Sequence, residues 1–382
     1  MATTRYDVIV VGLGAMGSSA AFHLARRGKR VLGLERFDIP HTMGSSHGVN
    51  RIIRLAYYED PSYVPLLRRA YQLWRELEAG FGEQLLHITG SIDASERESW
   101  VFERSLASCI EHDLPHEILS ASELRERFPA YQLPEGHFAL VQPEGGFLAS
   151  ERSIVAHVTG ALEAGAEIHA HERVRTWELR DGGVRVETDR GSYEAERLVI
   201  SAGAWAGELL PELAQLFVPE RQVLAWFQPS RPELFVPARF PVFNLAAGEE
   251  RLYGFPVFGI PGFKFGRYHH RHEVIDPETM HREAERADED LLRELAGRFF
   301  PDGIGPVMSL KTCIFTNTPD EHFVLDTLPG DERVVVASPC SGHGFKFASV
   351  MGEIIADLAT TGSTPHNIDL FKLSRFAGSA IA

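Results

Sequence analysis

The chain opens on a short run in which every position is apolar. Val8-Ile9-Val10-Val11 is β-branched and unbroken, the composition of a strand buried on both faces of a parallel sheet. A helical stretch follows from Ser18 to Arg27, Gly28 closes it, and a second apolar run, Val31 to Leu34, ends on Glu35. Leu66, Leu67, Ala70, Leu73, Trp74 and Leu77 recur at helical spacing and predict a buried amphipathic helix over 65–78. Ser120 with Glu123 makes a capping box ahead of a short helix that stops at Phe128-Pro129. After a break at Pro143-Glu144-Gly145-Gly146, a helix is expected over 150–166. Short strands follow over 168–174, 184–188, 192–195 and 198–200, a meander that returns to a buried strand. That strand ends in Ser201-Ala202-Gly203-Ala204-Trp205, where small residues let the backbone approach a ligand. Strands are predicted near 222–228 and 252–258, with a helix over 287–299. Arg333 to Ser338 is another buried strand, and Phe347, Val350, Met351, Ile354, Ile355 and Leu358 then mark one face of a helix. No internal repeat or low-complexity tract interrupts this order.

Between the first strand and its helix stands Gly12-Leu13-Gly14-Ala15-Met16-Gly17. Such glycines serve a tight turn, close backbone approach to a pyrophosphate and close helix–strand packing, while the helix N-terminus offers free N–H groups to phosphates. Glu35 lies 18 residues after Gly17, where an acid would bind the 2′-OH of an adenosine ribose. Strand, glycines, helix, strand and acid in register predict an ADP moiety, without separating NAD from FAD. A second glycine-rich strand–loop–helix, Pro339-Cys340-Ser341-Gly342-His343-Gly344-Phe345-Lys346, closes the chain. It fits a flavoprotein, in which the last helix N-terminus faces the flavin's pyrimidine and stabilises the charge of the reduced ring.

Length and composition narrow the reading. At 382 residues the chain suggests about two domains. A net charge of −15 argues against nucleic acid as a partner, because its phosphates would be repelled. No apolar run approaches the roughly 20 residues that span a bilayer, and Tyr6 already belongs to the first strand, so neither a membrane span nor a signal peptide is expected. Cys109, Cys313 and Cys340 are too few and too scattered for a disulfide framework or a zinc site; no metal is expected, and the reading is a reduced, cytoplasmic protein. Only five of the 38 basic residues are lysines (Lys29, Lys264, Lys311, Lys346, Lys372), which singles out each of them.

Four blocks, PHTMGSSHG with NRIIR after it, YGFPVFG followed by GFKFG, KTCIFTNTPDEHFVLD, and SGHGFKF, resemble the monomeric sarcosine oxidase and N-methyltryptophan oxidase family over nearly the whole chain. The resemblance implies an α/β fold: a Rossmann-like FAD-binding domain of the p-hydroxybenzoate-hydroxylase/glutathione-reductase type, with an α+β mixed-sheet substrate domain. The expected division is discontinuous, with residues 1–85, 146–215 and 321–382 in the FAD domain and 86–145 and 216–320 in the substrate domain. It implies a monomer that oxidises the N–CH bond of a secondary amino acid, with O₂ reduced to H₂O₂. Sarcosine would give glycine and formaldehyde. A related oxidase of a bulkier or cyclic secondary amino acid, such as N-methyltryptophan or pipecolate, is the alternative, and a non-catalytic FAD-binding subunit is the alternative of another class.

Carried over residue by residue, Cys313 matches the cysteine bonded to the flavin 8α-methyl; the chemistry needs a thiolate near positive charge, and Lys311 is two residues away. Arg54 and Lys346 match the pair that grips the substrate carboxylate, a guanidinium fork plus an ammonium. Arg51 and His47 match flavin neighbours, and Lys264 matches the lysine beside flavin N5 that serves O₂ reduction. Tyr253 and His269 match residues on the substrate side, with His270 the competitor for the second and a solvated cluster with His272 the bland reading. The flavin cradle is expected from Gly12, Gly14, Ala15, Met16, Gly17, Glu35, Arg36, Ser45, His47, Arg51, Val174, Gly203, Trp205, Gly342, Gly344, Phe345 and Lys346. Two positions depart from the sarcosine pattern: Asn50 stands for a threonine, and Asn244 for a methionine against the substrate's methyl group.

Overall fold

The computed structural model describes residues 5–377; residues 1–4 and 378–382, the outer ends of the expected FAD domain, lie outside the described residues. Strand Arg5–Val11 takes the centre of a mixed sheet because five of its seven residues are buried. It pairs in parallel with Val31–Leu34 on one side and with Ser192–Ile200 on the other. Strand Glu167–His169 extends the parallel set beyond Val31–Leu34. Strand Ser192–Ile200 is long enough to hold two partners along one edge: its first half pairs antiparallel with Gly183–Thr188, its last three residues in parallel with Asp331–Ser338. Helices Ala15–Arg26, Ser150–Glu163 and Ala348–Thr361 share one apolar cluster with this sheet.

The stretch expected as one strand over 168–174 is two strands at opposite ends of the sheet. Glu167–His169 sits beside Val31–Leu34, and the chain then crosses over to start Val174–Arg180 in the meander. Apolar content alone could not reveal that crossing, which Glu172 and His171 make by backbone bonds to Glu35 and Phe37. The helices expected over 65–78 and 287–299 are Tyr63–Phe81 and Arg286–Phe299, and the Ser120–Glu123 capping box forms as read.

The second sheet has eight strands drawn from residues 91–142 and 218–317, with one parallel pair among antiparallel ones. Strict alternation separates its faces. Phe263, Phe265 and Leu252 point into an apolar cluster with Phe235, Phe240, Phe300 and the Arg286–Phe299 helix. The residues between them, Lys264, Gly266, Arg251 and Tyr253, therefore face the nucleotide sheet. Strand Leu86–Ile88 joins Asn50–Ile53 and Gly146–Ala149 in a small third sheet beside this junction.

Candidate active site

A single cavity runs along the junction of the two large sheets. Its walls include Gly12, Gly14, Ala15, Met16, Glu35, Arg36, Ser45, Arg51, Val174, Gly203, Trp205, Tyr253, Cys313, Gly342, Gly344, Phe345 and Lys346. At one end the first βα turn is built for a phosphate. Gly12 has φ +85°, and a Cβ there would lie 2.6 Å from the Ser201 carbonyl oxygen. Gly17 lies behind the wall and not in it: a Cβ there would run into the Gly12 carbonyl, so this glycine sets helix–strand packing. The Ala15–Arg26 helix has no side-chain cap and no acid in its first turn, which leaves its N–H groups for an anion; Ser46 Oγ alone reaches in, 3.3 Å from Ala15 N. Glu35 is fixed at the end of its strand by N–H donors of Leu13 and Phe37, at 2.8 and 3.0 Å. Arg36 and Trp205 close this end through Glu278, which accepts from both. Nothing in the sequence marked Glu278.

The helix Ala348–Thr361 likewise begins without a side-chain cap or a first-turn acid, next to Gly342, Gly344 and Phe345 in the cavity wall. Between the two ends, Cys313 Sγ is 3.5 Å from Arg51 Nη2. Arg51 thus supplies the positive charge that the sequence suggested from Lys311. His47 is 1% exposed just behind this wall, and neither ring nitrogen has a partner within the described residues. Burial and the nearby Arg51 charge push it down to about 3, so it is neutral. The glycine cradle, the uncapped helix ends, the ribose-facing acid and this partnerless imidazole fit a dinucleotide with a flavin at the Cys313 end.

The second-sheet residues fall into two groups. Tyr253 lines the cavity, and Gly266 opposite it makes room, since a Cβ there would meet the Tyr253 ring at 2.4 Å. Lys264 is one layer deeper. Its Nζ donates to Gly48 O, Asn50 O and Asn50 Oδ1 at 2.8, 2.7 and 2.9 Å, so it clamps the loop that carries Ser45 and Arg51. Asn50, the departure from threonine, provides the third of those acceptors. Burial and the like charge of Arg51 hold the Lys264 ammonium well below its usual range.

Arg54 is 1% exposed and does not reach the cavity wall. Its guanidinium donates to Ala56 O and to Glu59 Oε2, lies 3.8 Å from Asp93 Oδ2, and packs on Tyr57 and Tyr58. Two acids in a dry pocket draw it there. Against their own burial, Arg54 holds Glu59 at about 2. Asn244 is also turned away, donating to Asp93 Oδ1 at 2.9 Å and accepting from Tyr58. Lys346 is therefore the cation of the expected pair that meets the cavity. Its Nζ donates to His343 O at 2.7 Å, and burial with the repulsion of Arg54 holds it at about 7.

His269 is corrected by the structure. It sits outside the cavity between Glu220 and Glu321, at 2.8 and 3.1 Å, and those bonds raise it to about 9. His270 is no replacement, being buried against Asp288 Oδ1 at 2.9 Å. Tyr268 lines the cavity in their place, its ring 5.1 Å from that of Tyr253. The signal was available: counting by two from Lys264 reaches Gly266 and then Tyr268 on the same face.

The chain matches the FAD dependent oxidoreductase family model over residues 7–358. It is 43% identical over 379 residues to a monomeric sarcosine oxidase of Streptomyces avermitilis, covering 98% of each chain. It is 36% identical to an N-methyl-L-tryptophan oxidase of Yersinia pestis, covering 97% of this chain and 99% of the other. Among solved structures it superposes on NikD, an unusual amino acid oxidase essential for nikkomycin biosynthesis, with a TM-score of 0.84, 27% identity and 97% and 98% coverage. With the dinucleotide cradle at one end of its cavity and the flavin-sized wall at the other, the chain belongs to the FAD-dependent oxidoreductases, in the branch of the monomeric sarcosine and N-methyl-L-tryptophan oxidases.

Proposed function

We propose that this FAD-dependent enzyme oxidises the C–N bond of N-methyl and other secondary α-amino acids, with sarcosine the simplest case. Sarcosine, O₂ and water would give glycine, formaldehyde and H₂O₂. The observation that carries the reading is the meeting of Cys313, Arg51, Tyr253, Tyr268 and Lys346 in one cavity, within a chain 43% identical to a monomeric sarcosine oxidase. The bound flavin supplies the two-electron acceptor and delivers the electrons to O₂.

The residues of the chain do the rest. Gly12, Gly14, Ala15 and Met16 present N–H groups to the pyrophosphate, and Glu35 holds the ribose, with Arg36, Val174, Gly203 and Trp205 around the adenosine. Ser45, His47, Arg51, Gly342, Gly344 and Phe345 border the flavin ring. Cys313, with the Arg51 guanidinium beside its sulfur, would hold it by a C–S bond that replaces an 8α C–H bond, the two electrons released passing through the flavin to O₂. Lys346 attracts the substrate carboxylate, while the charge of Arg54 is offset by Glu59 and Asp93. The wall of Tyr253 and Tyr268 excludes water from the carbon–nitrogen bond. Lys264 places a buried cation beneath the loop next to the ring, where negative charge develops when O₂ is reduced.

The proposed division is an FAD domain (1–85, 146–215, 321–382) and a substrate domain (86–145, 216–320); the origin of the strands of the two large sheets supports it, whereas strand Leu86–Ile88 pairs across the first boundary with Gly146–Ala149. A monomeric, cytoplasmic protein completes the proposal; among the described residues no helix is long and apolar enough to cross a membrane. Peroxide release on adding sarcosine to the purified yellow protein tests the reaction, and acid precipitation that leaves the pellet yellow tests the covalent bond.

A further inference from the structure

The glycine-turn end of the cavity is its solvent-facing end. The side chains of Arg36 and Arg173 in the wall there are each 26% exposed and that of Glu208 is 39% exposed, whereas Cys313 and Lys346 are 3% and 5% exposed. Arg36 follows strand Val31–Leu34 and Trp205 follows strand Ser192–Ile200. Strand Arg5–Val11 with its glycine turn runs between those two, so Arg36 and Trp205 stand on opposite sides of the crevice at the carboxyl ends of the strands. One carboxylate joins them. Glu278 Oε2 accepts from Arg36 Nη2 at 2.7 Å, and its Oε1 accepts from Arg36 Nη1 and from Trp205 Nε1, the latter at 2.6 Å. Arg173, a third wall residue, has its guanidinium 3.7 Å from the same carboxylate.

Glu278 itself stands outside the cavity wall and does not belong to the nucleotide sheet. It lies in the connection between strand Phe263–Arg267 and helix Arg286–Phe299, and that connection is anchored on both flanks. Ile275 N donates to Pro219 O at 2.9 Å. Arg282 donates to Met43 O at 2.8 Å and to Pro277 O at 2.9 Å, and its own carbonyl accepts from Thr312 Oγ1 at 2.7 Å. Met280, 8% exposed, packs with Ala204 and Ile314, both of which line the cavity. A strap held at both ends therefore presents one acid to two sides of the crevice. An exposed ion pair alone contributes little. Here the guanidinium is gripped through two nitrogens, and an indole N–H and a second guanidinium share the carboxylate, which fixes the walls relative to each other.

We infer that Glu278 is a cofactor-positioning residue: it ties Arg36 and Trp205 across the adenosine crevice, so that the walls grip the adenosine of FAD and retain the dinucleotide in preference to FMN. The inference rests on the placement of the adenosine under Proposed function, and not on the amine oxidation. Its test uses Cys313→Ala protein, in which the flavin is free to exchange. FAD and FMN are titrated into the apoprotein by flavin fluorescence, and FAD release from the holoprotein is followed after dilution. Adding E278Q should speed FAD release and weaken FAD binding by about 5- to 50-fold at low salt, and leave FMN binding unchanged. Added salt should narrow that gap, because it screens the pair in the parent and E278Q has no pair to screen. W205F, which removes only the indole bond, should fall between the two. E278D keeps the charge, should recover part of the loss, and covers the case in which E278Q does not fold. Where Cys313→Ala retains too little FAD to follow, covalent capture of limiting FAD or FMN by apoprotein with Cys313 intact gives the same comparison. FAD release unchanged in E278Q overturns the inference. So does an equal loss of FMN, which would make Glu278 a general structural support, or a gap that salt leaves untouched. If no secondary amino acid reduces the flavin while E278Q still loses FAD selectively, the proposed reaction fails and this inference stands.

Discussion

Lys346 gives the sharpest quantitative prediction. The residue is 5% exposed, and its ammonium donates to His343 O at 2.7 Å and has the Tyr57 hydroxyl 3.5 Å away. Burial, reinforced by Arg54, lowers it from 10.5 to about 7, so in the free site it is half charged at neutral pH. A carboxylate bound against it favours the charged form and moves the value back up. The sign follows directly. Below pH 7 the lysine is already charged and affinity is flat. Above pH 7 the free site has lost its proton, binding has to take one up, and Kd rises up to the value in the complex. If that value is 10 or higher, Kd for a simple carboxylate rises tenfold per pH unit at the limit, about 50-fold between pH 7 and 9. Glu59 at about 2 and His343 at about 4 titrate below this window, and His269, at about 9, stands outside the cavity. Propionate, which has no titrating group in the range, is the suitable probe, followed by flavin absorbance in buffers of constant ionic strength. Lys346→Met should bind weakly and without slope. A Kd that is flat or falls from pH 7 to 9 in the unaltered protein would refute the reasoning.

Other outcomes follow from the same geometry. Cys313→Ala should release its flavin on acid precipitation while Cys340→Ala keeps it bound, because only Cys313 has Arg51 beside its sulfur; free flavin in the supernatant of the unaltered protein would remove the covalent assignment. Lys264→Met should slow reoxidation of the reduced protein by O₂ by orders of magnitude in stopped flow while anaerobic reduction falls far less; a parallel fall in both would reduce Lys264 to a clamp for its loop. The same variant leaves three acceptors without a donor, each costing roughly 1–3 kcal/mol when buried, so its melting temperature should drop, and Lys264→Gln should recover part of it. Gly12→Ala puts a Cβ 2.6 Å from Ser201 O at φ +85°, and should be purified with little flavin; full flavin content would contradict the cradle.

The nucleotide half was legible because its signals are local. Val8 to Val11 has no polar residue, Gly12 and Gly14 precede a helix, and Glu35 follows the next strand, so each link constrains its neighbour. The crossing from Glu167–His169 to Val174–Arg180 was not legible, since both strands read as one β-rich stretch and only sheet pairing separates them. At the candidate site, residues borne on the cavity-lining strands and loops, such as Tyr253, Cys313 and Lys346, met the cavity. Arg54 and Asn244 did not, because Glu59 and Asp93, distant in sequence from each other, capture them. Tyr268 was missed, and His269 named in its place, for a different reason. A motif match fixed the number 269, but the strand ends at Arg267 and His269 lies in the turn beyond it with φ +52°, while Tyr268 keeps to the cavity side.

The central claim, that this cavity oxidises a secondary α-amino acid on a flavin held at Cys313, has one most direct test. The purified protein is mixed anaerobically with sarcosine, N-methyl-L-glutamate and, as a control, glutamate, and the flavin spectrum is followed before oxygen is admitted. The account predicts bleaching by the secondary amino acids and little by the primary one, then recovery of the spectrum on admitting O₂ with one H₂O₂ per flavin. A flavin that stays oxidised with every secondary amino acid tried would contradict it.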